Sequence, residues 1–374
     1  MTKKNKPSHD SMPKGTLAEC KISNEKCPLE IESLINVPRF LTPNPTHINA
    51  YVWLFMRGDF YLPGIVAAIH SIKRNNPAAD LVVMTTPDIS AKTKQILMRV
   101  ATHIFEIPYI TFRSKQMKTQ KQRDMYDAWV SSAYSKWNAL LLPYKKICLL
   151  DADVIATTNI DILFELQPPA APIASPFTKP TGYIPVYYNP DICGVDGFPE
   201  HGSTITADEI KQSLEGPGMV ITATPVVLSP NKDDFDALMR MVHKAQPYGF
   251  EECHSGWDEQ SLAEYYSSKN IGFTIIHQRF NYYPWRKEFI TKGDVPRILH
   301  FFSDIKPWTL PYDKYSDVTT WYKMAADVIE NCDITCADIN IDEKNVNAAK
   351  KAEDTFINTH IKVKSVLDIN KVLK

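Results

Sequence analysis

Apolar residues in this chain fall into short unbroken runs, and between the runs their spacing turns helical. Tyr51-Val52-Trp53-Leu54-Phe55 is the first run and reads as a strand. Arg57-Gly58-Asp59 breaks it, and Pro63-Gly64 opens a helix with Ile65, Ala68, Ile69 and Ile72 on one face. Leu81 to Met84 is the next strand, Ser90 to Val100 the next helix, and His103 to Ile107 a third strand. A further helix, Ser132 to Leu142, leads into Ile147-Cys148-Leu149-Leu150. Strands this uniformly apolar are covered on both faces, as in parallel sheets. Their alternation with helices predicts an α/β fold, Rossmann-like, with a doubly wound and mainly parallel sheet.

The pattern loosens in three places. Residues 1–47, rich in Lys, Pro, Ser and Asn, read as an N-terminal tail or loosely packed arm. Lys115 to Arg123 is a polar, basic loop, either a solvated linker or an anion-contacting lid. Residues 168–218 hold many Pro and Gly and are expected to form a long irregular functional loop. Strands are expected at Met219–Thr222, Pro225–Leu228 and Ile298–Phe302, and helices at Asp234–Lys244 and Asp258–Tyr266. The core domain is then 48–310, followed by a charged helical extension over 311–374.

Candidate chemistry gathers where one strand stops. The run Ile147 to Leu150 enters Asp151-Ala152-Asp153, and ligands of open α/β sheets bind at such carboxyl ends. Side chains two apart on extended backbone face the same way, so both carboxylates can reach one cation. Turn or cap residues are the competing reading. The chain carries its own control in Asp234-Phe235-Asp236, which follows Pro230-Asn231-Lys232 and opens a helical pattern. There the acids read as helix-start residues near the positive dipole end.

His300 ends the last apolar strand, and Lys306-Pro307-Trp308 follow six residues later. An imidazole would complete a mixed oxygen/nitrogen shell that suits manganese better than calcium. Lys306 offers a compact charge for a pyrophosphate.

Composition narrows the rest. A chain of 374 residues, 44% hydrophobic and 11% aromatic, can build a substantial core. A net charge of -1 argues against general attraction to nucleic acid or anionic membranes. The seven cysteines are scattered and form no zinc spacing, so a reducing, cytoplasmic setting is expected. No secretory signal and no membrane-spanning run are read from the sequence.

The motifs, taken in order, resemble the family-8 retaining glycosyltransferases, a group that includes glycogenin and galactinol synthase. Leu149-Leu150-Asp151-Ala152-Asp153-Val154 resembles the family's DxD strand, and Asn159 to Glu165 its following NIDdLF run. His300 to Trp308 resembles the HFxGxxKPW segment, and Glu259-Gln260-Ser261-Leu262 the D/E-Q-x-L element. Gly58-Asp59-Phe60-Tyr61 and Gly64 look like the nucleotide loop, and Lys136 stands where the family carries a donor-site lysine. Three departures stand out. Ser303 replaces a glycine, Thr222-Ala223-Thr224 replaces an Asn-Ala/Ser-Gly turn that helps seat the sugar, and 176–218 has no match.

The resemblance implies a GT-A type domain over 48–310 and a UDP-hexose donor, with glucose or galactose transferred. Asp151, Asp153 and His300 would hold manganese, and Lys306 would steady the departing UDP. Tyr61 would stack on uracil, Lys136 would contact the donor sugar, and Glu259 and Gln260 would orient the acceptor. The acceptor is open among carbohydrate, polyol and protein hydroxyls, including self-glycosylation at Tyr183, Tyr187 or Tyr188. A homodimer is left open as well. Two rivals remain: a decayed nucleotide-sugar or glycan binding protein, and a DxD nucleotide-sugar hydrolase or nucleotidyltransferase.

Overall fold

A computed structural model describes residues 45–117, 120–173, 200–216, 221–222, 224–253, 256–282, 296–302 and 305–353. Most of the expected tail, residues 174–199 of the expected functional loop (with Tyr183, Tyr187 and Tyr188), Ser303, and residues 354–374 lie outside them. In chain order the elements are β1 (Asn49–Phe55), α1 (Leu62–Lys73), β2 (Asp80–Thr85), α2 (Ala91–Leu97), β3 (His103–Glu106), α3 (Gln120–Tyr126) and β4 (Lys146–Leu150). There follow β5 (Val154–Ala156), β6 (Ala170–Ala171), β7 (Thr204–Ile205), α4 (Ala207–Glu215), β8 (Val226–Leu228) and α5 (Lys232–Lys244). The last are α6 (Trp257–Ser268), β9 (Phe273–Ile275), β10 (Ile298–His300), α7 (Ser316–Asn331) and α8 (Glu343–Lys351).

The central sheet runs β3-β2-β1-β4-β8-β6-β9-β7. β1 is parallel to both β2 and β4, with Trp53 opposite Val83 on one side and Leu150 on the other. β3 extends the parallel half, whereas β8 pairs antiparallel with β4. The expected α/β class with a mainly parallel sheet is what forms. Alternation fills both faces. Tyr51, Trp53 and Phe55 enter one core with α1 and α7, and the equally buried Ala50 and Val52 face the other way.

α1 departs from the one-sided helix expected: every residue from Leu62 to Ile72 is buried. The reason is α7, whose Trp321, Tyr322 and Ala325 join the same core and cover the outer side. Polar residues inside α1 are satisfied locally. Ser71 Oγ donates to Ala68 O at 2.7 Å and accepts from Ala156 N at 2.9 Å, which ties α1 to β5. His70 Nε2 meets Asp327 Oδ2 of α7 at 3.1 Å.

Other segments differ from expectation for identifiable reasons. The basic loop ends in α3, so Gln120 to Arg123 are helical. The helix expected over Ser132–Leu142 is a run of 3-10 turns, Val130–Leu141. There Ser135 Oγ accepts from Ile110 N and Asn138 Nδ2 donates to Ser135 O, competing with regular helical bonding. The segment 168–218 contains β6, β7 and α4, the last opened by a capping box between Thr206 and Glu209. Of the strand expected at Met219–Thr222, Met219 and Val220 lie outside the described residues. Ile221 and Thr222 are not strand, and the Thr222 hydroxyl bonds to Thr224 O instead.

Candidate active site

Two backbone arrangements bring distant residues to the end of β4. β5 follows the acidic turn at once and pairs antiparallel with β10, placing His300 opposite Val154. Phe301 N then donates to Asp153 O at 2.9 Å, which fixes the strand after His300 against the turn. From the other side comes the first turn of α1. A Cβ on Gly64 would lie 2.6 Å from Ala152 O and 2.6 Å from the Trp308 ring, so only glycine permits this approach.

Each carboxylate divides its two oxygens between a lysine and the imidazole. Asp153 Oδ2 accepts from Lys306 Nζ at 2.5 Å, and Asp153 Oδ1 lies 3.4 Å from His300 Nε2. Asp151 Oδ1 accepts from Lys136 Nζ at 3.2 Å, and Asp151 Oδ2 lies 3.8 Å from His300 Nε2. The three potential ligand atoms all fall within 4.8 Å of one another. Cis ligands of an octahedral ion at about 2.1 Å are about 3 Å apart, so a small inward shift would close the set. Two carboxylate oxygens and one imidazole nitrogen make a donor set that a divalent cation such as manganese accepts. The residues fit the metal.

Charge in the cluster is balanced by pairing. Burial would raise the Asp153 pKa, but His300 and Lys306 outweigh it and hold the carboxyl far below its usual range. Burial would lower the Lys306 pKa, but Asp153 and Tyr61 hold the ammonium above its ordinary value. Lys136 behaves likewise between Asp151 and Asp258, with Asp258 Oδ2 at 3.5 Å. Lys306 is 4% exposed, so its charge acts where little water screens it.

Of the three neighbours at the start of α6, Asp258 is the one that pairs with Lys136. Glu259, expected to orient the acceptor, accepts from Gly256 N at 2.6 Å through its carboxylate and caps α6. Gln260, expected beside it, is fully buried; Oε1 accepts from Phe250 N at 2.7 Å and Nε2 donates to Cys253 O at 3.3 Å. The sequence resemblance pointed to Glu259 and Gln260, yet a signal for the capping role was present: Glu three residues after Gly256 is a capping spacing. Tyr61 lies at the mouth, 37% exposed, edge-on to Trp308 at 5.6 Å, with Lys306 Nζ 5.4 Å from its ring centre.

Sequence reading missed Asn281. It is fully buried, and its Oδ1 meets His300 Nδ1 at 2.7 Å. A parallel bridge between Tyr282 and Leu299 puts it there, a placement that no local pattern announces.

A mainly parallel α/β sheet ending in two acids, an imidazole and two lysines defines a site suited to a divalent cation and a diphosphate. Residues 54–184 match the family model described as Glycosyl transferase family 8. This stretch, roughly a third of the chain, is thus similar to family-8 sequence, in keeping with the resemblance. An uncharacterised protein of Acanthamoeba polyphaga mimivirus is 32% identical over 33% of this chain and 42% of its own length. A UDP-glucuronate:xylan alpha-glucuronosyltransferase 1 of Arabidopsis thaliana is 31% identical over 32% of this chain and 17% of its own. Human glycogenin-1 is 21% identical over 68% of this chain and 61% of its own. The chain thus spans less than two thirds of these relatives. Among the described residues no helix is long and apolar enough to cross a membrane.

Proposed function

We propose that the protein is a GT-A type, metal-dependent retaining glycosyltransferase that moves a hexose from a UDP-sugar to an acceptor hydroxyl. The observation that carries the reading is the division of oxygens in Asp151 and Asp153. One oxygen of each is held by a lysine, and the other turns toward His300. Manganese bound by Asp151, Asp153 and His300 would supply Lewis-acid stabilisation of the diphosphate.

The remaining roles belong to the chain's own side chains. Tyr61 offers a half-exposed ring for the uracil. Lys306, nearly dehydrated, meets the negative charge that grows as the sugar–phosphate bond breaks, a preorganised electrostatic role. Lys136, locked between Asp151 and Asp258, lies on the side where the sugar would rest. Asp258 pairs with Lys136 and would lie beside the sugar with it, while Glu259 and Gln260 hold the start of α6 and the 250–253 turn. Transfer breaks the bond from the anomeric carbon to the phosphate oxygen, forms one to the acceptor oxygen on the same face, and passes the acceptor hydroxyl proton to the phosphate of the departing UDP.

The test is UDP release by the full chain with manganese and a panel of UDP-glucose, UDP-galactose and UDP-glucuronate. The last is included because a relative carries that donor in its name. Metal-dependent release with one or more donors is expected. No release with any donor, alongside tight UDP binding, would favour the decayed binding protein.

A further inference from the structure

The turn Thr222 to Thr224 stands where the resembled family has Asn-Ala/Ser-Gly, and its hydroxyls are used in a particular way. Thr224, 1% exposed, accepts on Oγ1 from the backbone N–H of Asp151 at 2.9 Å. Thr222, 6% exposed, donates its one hydroxyl proton to Thr224 O at 3.3 Å. With that proton committed, Thr222 Oγ1 can only accept, and it does so from Asn281 Nδ2 at 3.0 Å.

This settles the amide of Asn281. Its NH2 faces Thr222, so its carbonyl oxygen faces His300 Nδ1 at 2.7 Å. A carbonyl accepts only, and Nδ1 must therefore carry the ring proton. Once the ring gives up its second proton, as binding a metal requires, the lone pair is therefore on Nε2, which lies 3.8 Å from Asp151 Oδ2 and 3.4 Å from Asp153 Oδ1. A ligating histidine is held in this way by the partner of its other nitrogen.

We propose that Thr222 and Thr224 are positioning residues for the metal site: Thr222, through Asn281, sets the tautomer of His300, and Thr224 holds the backbone of Asp151. In this chain the turn thus serves the metal ligands. The inference rests on the metal reading above, and its test separates the two.

Two measurements on the full chain decide it. The first needs no metal: nitrogen-15 NMR of labelled histidines, taken across pH to where the His300 ring is neutral, reports which nitrogen of His300 keeps its proton, with His300→Ala assigning the signal. The Nδ1–H form is expected in the parent, with a loss of that preference in Thr222→Val and its return in Thr222→Ser. An Nε2–H form in the parent, or an unchanged form in Thr222→Val, overturns the proposal. The second is a manganese titration followed by electron paramagnetic resonance. Outer-sphere partners carry about 10–100-fold in affinity, and a loss of that size is expected for Thr222→Val and Thr224→Val, but not Thr222→Ser. Thermal melts accompany each variant. Parent affinity in both valine variants, while Asp153→Asn abolishes binding, overturns the positioning role and spares the metal reading. If Asp153→Asn also binds normally, the metal reading fails instead, and the NMR result still decides the tautomer claim.

Discussion

Two pairs of aspartates in this chain share the same spacing and have opposite fates. Asp151 and Asp153 leave a strand, and one oxygen of each converges on the same imidazole nitrogen. Asp234 and Asp236 are on α5, where residues two apart diverge by about 200°. Asp234 Oδ1 accepts from Tyr265 Oη at 2.6 Å and from Lys269 Nζ at 2.8 Å, while Asp236 Oδ2 turns to Lys232 at 2.5 Å. Both pairs have lysine partners, so ion pairing does not distinguish them. What does is the backbone before the first acid: extended chain aims two carboxylates at one point, and helix scatters them.

The comparison breaks most visibly at the metal. Asp153→Asn should lower manganese affinity by more than about 100-fold, beyond what outer-sphere partners carry. Asp234→Asn should leave it unchanged and cost only about 1 kcal/mol of stability through its half-exposed lysine contact. Calorimetric titration of both variants reads the difference, and equal losses would erase the distinction. Lys306→Ala comes next. With metal binding retained, turnover should fall by roughly 10²–10³, the size seen when one preorganised charge-stabilising donor is removed. Lys269→Ala, the equivalent change at the second pair, should leave turnover at the parent rate.

How far the sequence revealed this contrast depends on how local each determinant is. The strand into Asp151 was legible because a buried parallel strand needs an unbroken apolar run, and Asn231 ahead of Asp233 announced the helix equally well. His300 and Lys306 were legible as a motif, since six residues keep them within one segment. Asn281 was not, because its place depends on Tyr282 N bonding to Ile298 O and on His300 N bonding to Tyr282 O, contacts between residues well separated in sequence. α4 was missed inside a segment judged by its Pro and Gly content, although Thr206 and Glu209 carried the capping signature. The 3-10 run was missed because its apolar spacing matches an α-helix, and only its buried Ser135 and Asn138 tell the two apart.

A smaller effect probes why the first pair can converge at all. Gly64→Ala would force a Cβ against Ala152 O and the Trp308 ring. Overpacking of this kind costs about 1–3 kcal/mol, and the relief available here is to push the acidic turn outward. Lower thermal stability together with weaker manganese binding is expected, measured by a melt and a titration on the same preparation. Weaker folding with parent metal affinity would mean that the turn keeps its shape without α1.

The smallest effect belongs to the second pair. Asn231 caps α5 by accepting from Asp233 N at 2.8 Å and from Asp234 N at 3.4 Å, at the end of the helix where the acids also favour the dipole. Asn231→Ala removes that acceptor, and lost caps cost about 1 kcal/mol. The helix itself should survive, because Phe235, Leu238, Met239 and Val242 are buried along its inner face. A modest drop in melting temperature is therefore expected, with manganese affinity and turnover at parent values. A change in metal affinity would show that α5 reaches the site after all, and that its acids do more than begin a helix.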